Sequence, residues 1–130
     1  MLYRLMGVLH NIRCTDQRLE LALIHIHKHY MEKLRIEQLA KISCMSKYYF
    51  IRRFQEDAGM TPHEYINEFR IKMAQELLVR DDATISSVAH AVGFEDRSYF
   101  AELFKKLTGY LPREYRKLYR KDTKKTAANE

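Results

Sequence analysis

The sequence predicts an all-α chain in which two small helical subdomains of one design are joined by a long helix. Three observations lead there. Helix breakers are scarce, with two prolines and four glycines in 130 residues, while Leu, Lys, Glu, Arg and Ala are plentiful and Val and Thr sparse. Apolar residues recur at helical spacing. One stretch of chain is also repeated about fifty residues later. Apolar residues make up 46% of the chain, enough to bury a core, which excludes a disordered tail. The length suits one ordinary domain or two very small ones.

The elements follow in order. Leu2, Leu5, Met6 and Leu9 have helical spacing and predict a short amphipathic helix, which Asn11–Asp16 interrupts. A helix is expected from about Asp16 to Glu32, with Leu19, Ala22, Leu23, Ile26 and Tyr30 forming one buried stripe. The repeat begins next. Ile36, Leu39, Ala40 and Ile42 match Ile85, Val88, Ala89 and Ala91 at an offset of 49. Tyr49, Phe50, Phe54, Gly59, Pro62, Glu64 and Tyr65 match Tyr99, Phe100, Phe104, Gly109, Pro112, Glu114 and Tyr115 at an offset of 50. The second copy therefore carries one extra residue near Gly93–Asp96.

Each copy has the same grammar. A short helix meets a tight turn. Ser46 or Asp96 caps a second helix by accepting an orphan backbone N–H, and Gly59 or Gly109 ends it in the left-handed conformation that glycine adopts cheaply. Short helix, turn, longer helix is the helix-turn-helix layout. Between the copies, Thr61-Pro62-His63-Glu64 is a capping box with proline at the first helical position. Tyr65, Phe69, Met73 and Leu77, with Ile66 alongside, carry that helix to about Val79, a rod of roughly 27 Å. The expected organisation is an N-terminal segment 1–15, a first unit 16–60, a linker helix 61–80, a second unit 83–120, and a frayed lysine-rich tail 121–130.

The net charge of +6 favours a polyanionic partner, because neutralised phosphates release counterions. Helical geometry divides each second helix into two faces. Phe50, Phe54 and Ala58 point inward, and Tyr48 and Arg52 point outward with Tyr49 and Gln55 flanking. In the second copy Phe100, Leu103, Phe104 and Leu107 point inward, and Ser98 and Glu102 outward among Arg97, Tyr99, Lys105 and Lys106. The outward face of the first unit suits a major groove. Arg52 can donate two parallel hydrogen bonds to guanine, and Ile51 can press on a thymine methyl. Lys47, Arg53, Lys105 and Lys106, with the flanking Tyr49 and Tyr99, suit backbone phosphates.

These residues resemble the DNA-binding domain of the AraC/XylS family of bacterial transcription regulators from about Asp16 to Arg120. The match is carried by Gly93-Phe94-Glu95-Asp96-Arg97-Ser98-Tyr99-Phe100, Phe104-Lys105-Lys106, Gly109, Pro112 and Tyr115-Arg116, with Arg70, Ala74 and Leu77-Leu78 in the linker helix. The resemblance implies seven helices and two recognition helices, near Ser46–Ala58 and Asp96–Thr108, entering successive major grooves of double-stranded DNA. It implies base contacts from Tyr48, Ile51 and Arg52, and from Arg97, Ser98 and Glu102. Glu102 departs from the basic or neutral polar residue usual there, and Arg35 from the usual Ser or Thr cap. RNA polymerase, and a sensor or dimerisation domain ahead of this one, are implied partners. Since Leu2–Leu9 reads as the tail of a linker helix, the sequence is expected to be a piece of a larger regulator rather than a stand-alone member.

Other functions are weaker. His25 and His29 lie one helical turn apart, but His27 points away and no cysteine or carboxylate cluster accompanies them, so no metal is expected. Cys14 and Cys44 have no CxxC partner, which argues against a disulfide framework and for a reducing, cytoplasmic setting. Cys44, beside Met45, is expected to be a small packed hydrophobe. Certain DNA-repair methyltransferases carry a domain of the resembling family, but the sequence context of their reactive cysteine is absent around Cys14 and Cys44. No catalytic constellation and no cofactor site is expected. No apolar run approaches the ~20 residues that span a bilayer, and Met1–Leu9 lacks a signal-peptide cleavage pattern, so no membrane partner is expected. The alternative reading is an interaction module that contacts polymerase or a sensor domain and binds DNA weakly.

Overall fold

The computed structural model describes the backbone of residues 17–129 and the side chains of residues 17–120. The helix expected over Leu2–Leu9 lies outside the described residues. Seven helices and no strand occur among those described: α1 (Gln17–His29), α2 (Ile36–Ile42), α3 (Lys47–Ala58), α4 (Pro62–Arg80), α5 (Ile85–Ala91), α6 (Arg97–Thr108) and α7 (Pro112–Asn129). They form two compact units, one reaching to Phe69 and the other starting at Arg70, so the division falls inside α4.

The first unit is built on the α1 stripe. Leu19, Ala22, Leu23 and Ile26 are all buried and pack with Leu39 and Ala40 of α2, Phe50 and Phe54 of α3, and Tyr65 and Ile66 of α4. Burial of a large apolar side chain contributes about 1.5–3 kcal/mol, so this cluster outweighs the weak intrinsic stability of a seven-residue helix such as α2. Tyr30 lies past the end of α1, half-buried and edge-on to Phe69 at 5.3 Å between ring centroids.

The expected punctuation forms. The Ser46 oxygen accepts the Tyr49 N–H at 3.3 Å, and the Asp96 carboxylate accepts those of Ser98 and Tyr99 at 2.8 and 3.3 Å. Gly59 and Gly109 close their helices at φ 74° and 89°. The Thr61 N–H donates to Glu64 at 2.9 Å, and the Glu64 N–H donates back to Thr61 at 3.2 Å. The second copy keeps half of this box: the Leu111 N–H donates to Glu114 at 2.8 Å, and leucine has no oxygen to complete it. Thr84 caps α5 by accepting the Ser87 N–H at 3.0 Å, whereas Arg35 gives α2 no side-chain cap.

Turn geometry corrects one expectation. Ser43, Cys44 and Met45 donate their N–H groups to Leu39, Lys41 and Ala40, and Val92, Gly93 and Phe94 donate to Val88, His90 and Ala89 in the same order. The middle residue of each turn has positive φ, 58° at Cys44 and 105° at Gly93. Cys44 is consequently exposed, not packed. Its neighbours Ser43 and Met45 are the buried members of the turn, as Phe94 is in the second copy.

The linker helix also buries a different set from the one expected. Tyr65 and Ile66 are buried in the first unit, and Ile71, Ala74 and Leu78 in the second, while Phe69, Met73 and Leu77 are half-buried. Each half of α4 serves its own core, so no single stripe runs its length. In the second unit those three residues join Val88, Ala89, Val92, Phe94, Phe100 and Phe104. Leu103 and Leu107, expected inward, are half-buried. The last carbonyls of α4 have no intrahelical donor. Arg116 supplies Nε–H to Leu78 O at 2.9 Å and Nη2–H to Asp81 O at 3.2 Å, and Arg120 adds Nη1–H to Asp81 O at 3.1 Å and an ion pair with Asp82.

The bounds of α7 run through residues 121–129, where a frayed tail was expected. Lys and Ala dominate that stretch and no glycine or proline interrupts it, so nothing local stops the helix.

Candidate nucleic-acid interface

The candidate contact residues lie on α3 and α6, and each helix is oriented by the same anchor. Phe50 and Phe54 of α3, and Phe100 and Phe104 of α6, have zero exposure, four residues apart on one face. That fixes what the opposite face presents. Tyr48 is 80% exposed and Arg52 is exposed beside it. On α6, Arg97, Ser98, Tyr99, Glu102, Lys105 and Lys106 are all exposed.

The first unit does not present all its candidates alike. Ile51 is half-buried and packs against the core, so part of its surface is already committed. Lys47 pairs with Glu37 of α2 at 3.0 Å. The hydrogen bond between them raises the Lys47 pKa, and the α2 backbone N–H together with Lys47 lowers that of Glu37. Arg53 lies along its own helix, with Nε 3.4 Å from Asp57 and Nη1 3.7 Å from Glu56. Its partner Asp57 is only 5% exposed at the side chain, against 27% for Arg53.

Sequence reasoning missed Arg18. Its guanidinium lies 6.0 Å from the Tyr49 ring centre, and that of Arg52 lies 5.6 Å from the same ring. Tyr49 is thus a platform that limits where the Arg52 guanidinium can go. Arg18 and Tyr49 are 31 positions apart on different helices, and no periodicity signals such a pair.

In the second unit, Arg70 lies over the Phe94 ring at 5.8 Å, and burial lowers its pKa. Among the described residues Glu102 forms no ion pair within 4.0 Å with Lys105 or Lys106, one turn further along α6. That leaves one carboxylate on the outward face of α6.

The three histidines divide. The His25 and His29 rings lie 4.5 Å apart, and His29 Nδ1 is 2.7 Å from Glu32. His27 turns inward, stacks on Phe69 at 4.4 Å and hydrogen-bonds the Tyr65 hydroxyl at 2.7 Å. Burial lowers the His27 pKa and drives that of Tyr65 far up. Among the described residues no group of three or more His, Cys, Asp or Glu side chains is arranged to hold a metal ion. No described helix is long and apolar enough to cross a membrane.

A family described as a helix-turn-helix domain matches residues 39–118. The bifunctional transcriptional activator/DNA repair enzyme AdaA of Bacillus subtilis (strain 168) is 37% identical over 94 residues, covering 72% of this chain and 44% of AdaA. Other curated relatives are named as a transcriptional regulator, an operon regulatory protein and a transcriptional activator. The chain spans less than half the length of these curated relatives. The DNA-binding domain of AdpA, a global transcriptional factor solved in complex with a target DNA, has a TM-score of 0.77 and 30% identity, covering 83% of this chain and 96% of that one. A transcriptional regulator from Chromobacterium violaceum, described as having an AraC-type DNA-binding domain, has a TM-score of 0.73 and 25% identity over 77% of this chain and 89% of that one. The chain belongs to the AraC-type helix-turn-helix family of DNA-binding transcription regulators.

Proposed function

We propose that this chain reads double-stranded DNA by placing α3 and α6 in successive major grooves and regulates transcription from the bound site. One observation carries the reading: two helices of equal length and equal register present opposite faces to a core and to solvent. Tyr48, Ile51 and Arg52 of α3, and Arg97 and Ser98 of α6, meet base edges, with Glu102 beside them on the outward face of α6. Lys47, Tyr49, Arg53, Tyr99, Lys105 and Lys106 meet the backbone. Phosphate contacts set register and base contacts set sequence.

The bound complex acts on RNA polymerase, and a sensor or dimerisation domain elsewhere in the regulator controls it. On this reading the protein is a cytoplasmic binding module without covalent chemistry of its own. The DNA-repair activity in the name of AdaA stays with that protein, since no context for a reactive cysteine surrounds Cys14 or Cys44.

Selection of bound duplexes from a random pool, followed by footprinting, tests the reading. The expected result is one preferred sequence with two protected major-groove segments about one duplex turn apart, ~34 Å. Equal affinity for selected and random duplex, or protection of a single groove, overturns it.

A further inference from the structure

We propose that a groove in the second unit, between α5, α6 and the start of α7, seats one backbone phosphate of the bound duplex, with Arg113 holding it. This rests on the duplex-reading function above, and adds Arg113 as a contact that the recognition helices do not supply.

The groove measures about 380 Å³ and is open to solvent on one side. Ile85, Ala101, Leu111 and Pro112 line it, together with Arg97 and Arg113. Both arginines are exposed, and among the described residues neither has a carboxylate within 4.0 Å. Glu114 also borders the groove, but its Oε1 accepts the Leu111 N–H and serves as a helix cap.

The first unit shows what is unusual here. At the repeat offsets, Lys47 stands where the second unit has Arg97, and His63 where it has Arg113. Lys47 is held by Glu37 at 3.0 Å. The position of Glu37 is Ser86 in the second unit. The second unit has therefore replaced the internal counter-ion with a neutral residue and added a second permanent cation. Two arginines and one carboxylate, Glu114, border the groove, and the excess positive charge favours an external anion.

The fork of a guanidinium matches the oxygens of a phosphate. Apolar residues beside the arginines suit a deoxyribose next to its phosphate better than a free inorganic anion. The position also fits. Arg97 opens α6 immediately before Ser98, so the groove borders the end of the helix that enters the duplex.

The test is duplex binding by Arg113→Ala and Arg113→Lys, measured by fluorescence anisotropy across a salt series. The probe is the duplex selected from the random pool, alongside a random duplex. A second set of duplexes carries one neutral methylphosphonate at each backbone position in turn. Arg113 is exposed, and circular dichroism with thermal melting verifies that both variants fold. Arg113→Ala is expected to weaken selected and random duplex alike, by roughly tenfold, and to lower the slope of log K against log salt by about 0.9. Arg113→Lys falls between it and the wild type. One methylphosphonate position is expected to weaken the wild type and leave Arg113→Ala unaffected. If the wild type binds duplex but Arg113→Ala keeps its affinity and slope, or no phosphate position couples to it, the proposal is overturned while the duplex-reading function stands. If a glutamate-rich peptide binds the wild type through Arg113 and duplex affinity is unchanged in the variants, the groove docks a protein and the proposal fails. If the wild type binds no duplex at all, both readings fall together.

Discussion

Cys44 and Gly93 occupy the same place in the two turns, and both hold a positive φ, 58° and 105°. The backbone hydrogen bonds on either side of them correspond one for one. Glycine adopts this conformation freely, whereas a residue with a Cβ is strained there by about 1–2 kcal/mol.

Cys44→Gly is therefore expected to stabilise the first unit. Part of the relief is offset by the greater freedom of glycine in the unfolded chain, leaving a net gain of about 0.5–1 kcal/mol. Thermal melts under reducing conditions measure it. The converse change, Gly93→Ala, is expected to destabilise by about 1 kcal/mol or more. A lower melting temperature for Cys44→Gly would show that the thiol makes a contact worth more than the strain.

Arg52→Ala is expected to cost about 1–3 kcal/mol on the preferred site and to relax sequence preference at one base pair. Tyr49→Ala removes the ring beside which Arg52 lies, at 5.6 Å, and is expected to reproduce part of that relaxation. Binding to a panel of single-base-pair variants resolves both. An equal loss on specific and random duplex would make Arg52 a phosphate contact.

Glu102 stands on the outward face of α6 with no lysine paired to it within 4.0 Å. Near phosphates its charge repels, so Glu102→Gln is expected to raise affinity for random duplex and to change the preferred site little. The opposite result, a large loss confined to sites with one particular cytosine, would show the carboxylate accepting from cytosine N4 and make the second unit a full reader.

His27 gives the first unit a pH dependence with a definite sign. Its folded pKa is lowered from 6.5 by burial, so the unfolded chain takes up a proton first. The stabilisation from neutral His27 is complete above pH 6.5 and is lost as pH falls from there towards the folded value. His25, also lowered chiefly by burial, acts in the same direction. Urea unfolding at pH 7.5 and 5.5 is expected to show lower stability at the acid end, and a smaller difference in His27→Gln. An unchanged difference in that variant would assign the effect elsewhere.

What was legible in the sequence was chemistry confined to a few neighbouring residues. Ser46, Asp96, Gly59, Gly109 and the Thr61–Glu64 box announce helix ends because each acts within three or four positions. Phe50/Phe54 and Phe100/Phe104 announce inward faces for the same reason. Illegible features depended on partners distant in the chain or on conformation hidden by residue type. Cysteine does not advertise a left-handed turn, and only its alignment with Gly93 does so. Helical spacing showed His27 turned away from His25 and His29, but not its enclosure by Tyr65 and Phe69, which lie on another helix. Arg18 reached Tyr49 across two helices, and α4 divided its burial between two cores that no single periodicity describes.

If both units read one duplex as proposed, the continuity of α4 across Phe69–Arg70 makes its length part of that reading. A loop between readers absorbs an extra residue at small cost. A continuous helix turns by about 100° and advances about 1.5 Å with every residue. One insertion in the middle of α4 would thus rotate one reader against the other by more than a quarter turn. Seven would nearly restore the phase but lengthen the span by about 10 Å. On the proposed two-groove reading, a turn can change length at small cost, whereas the residue count of α4 enters both the spacing and the phase of the two recognition helices.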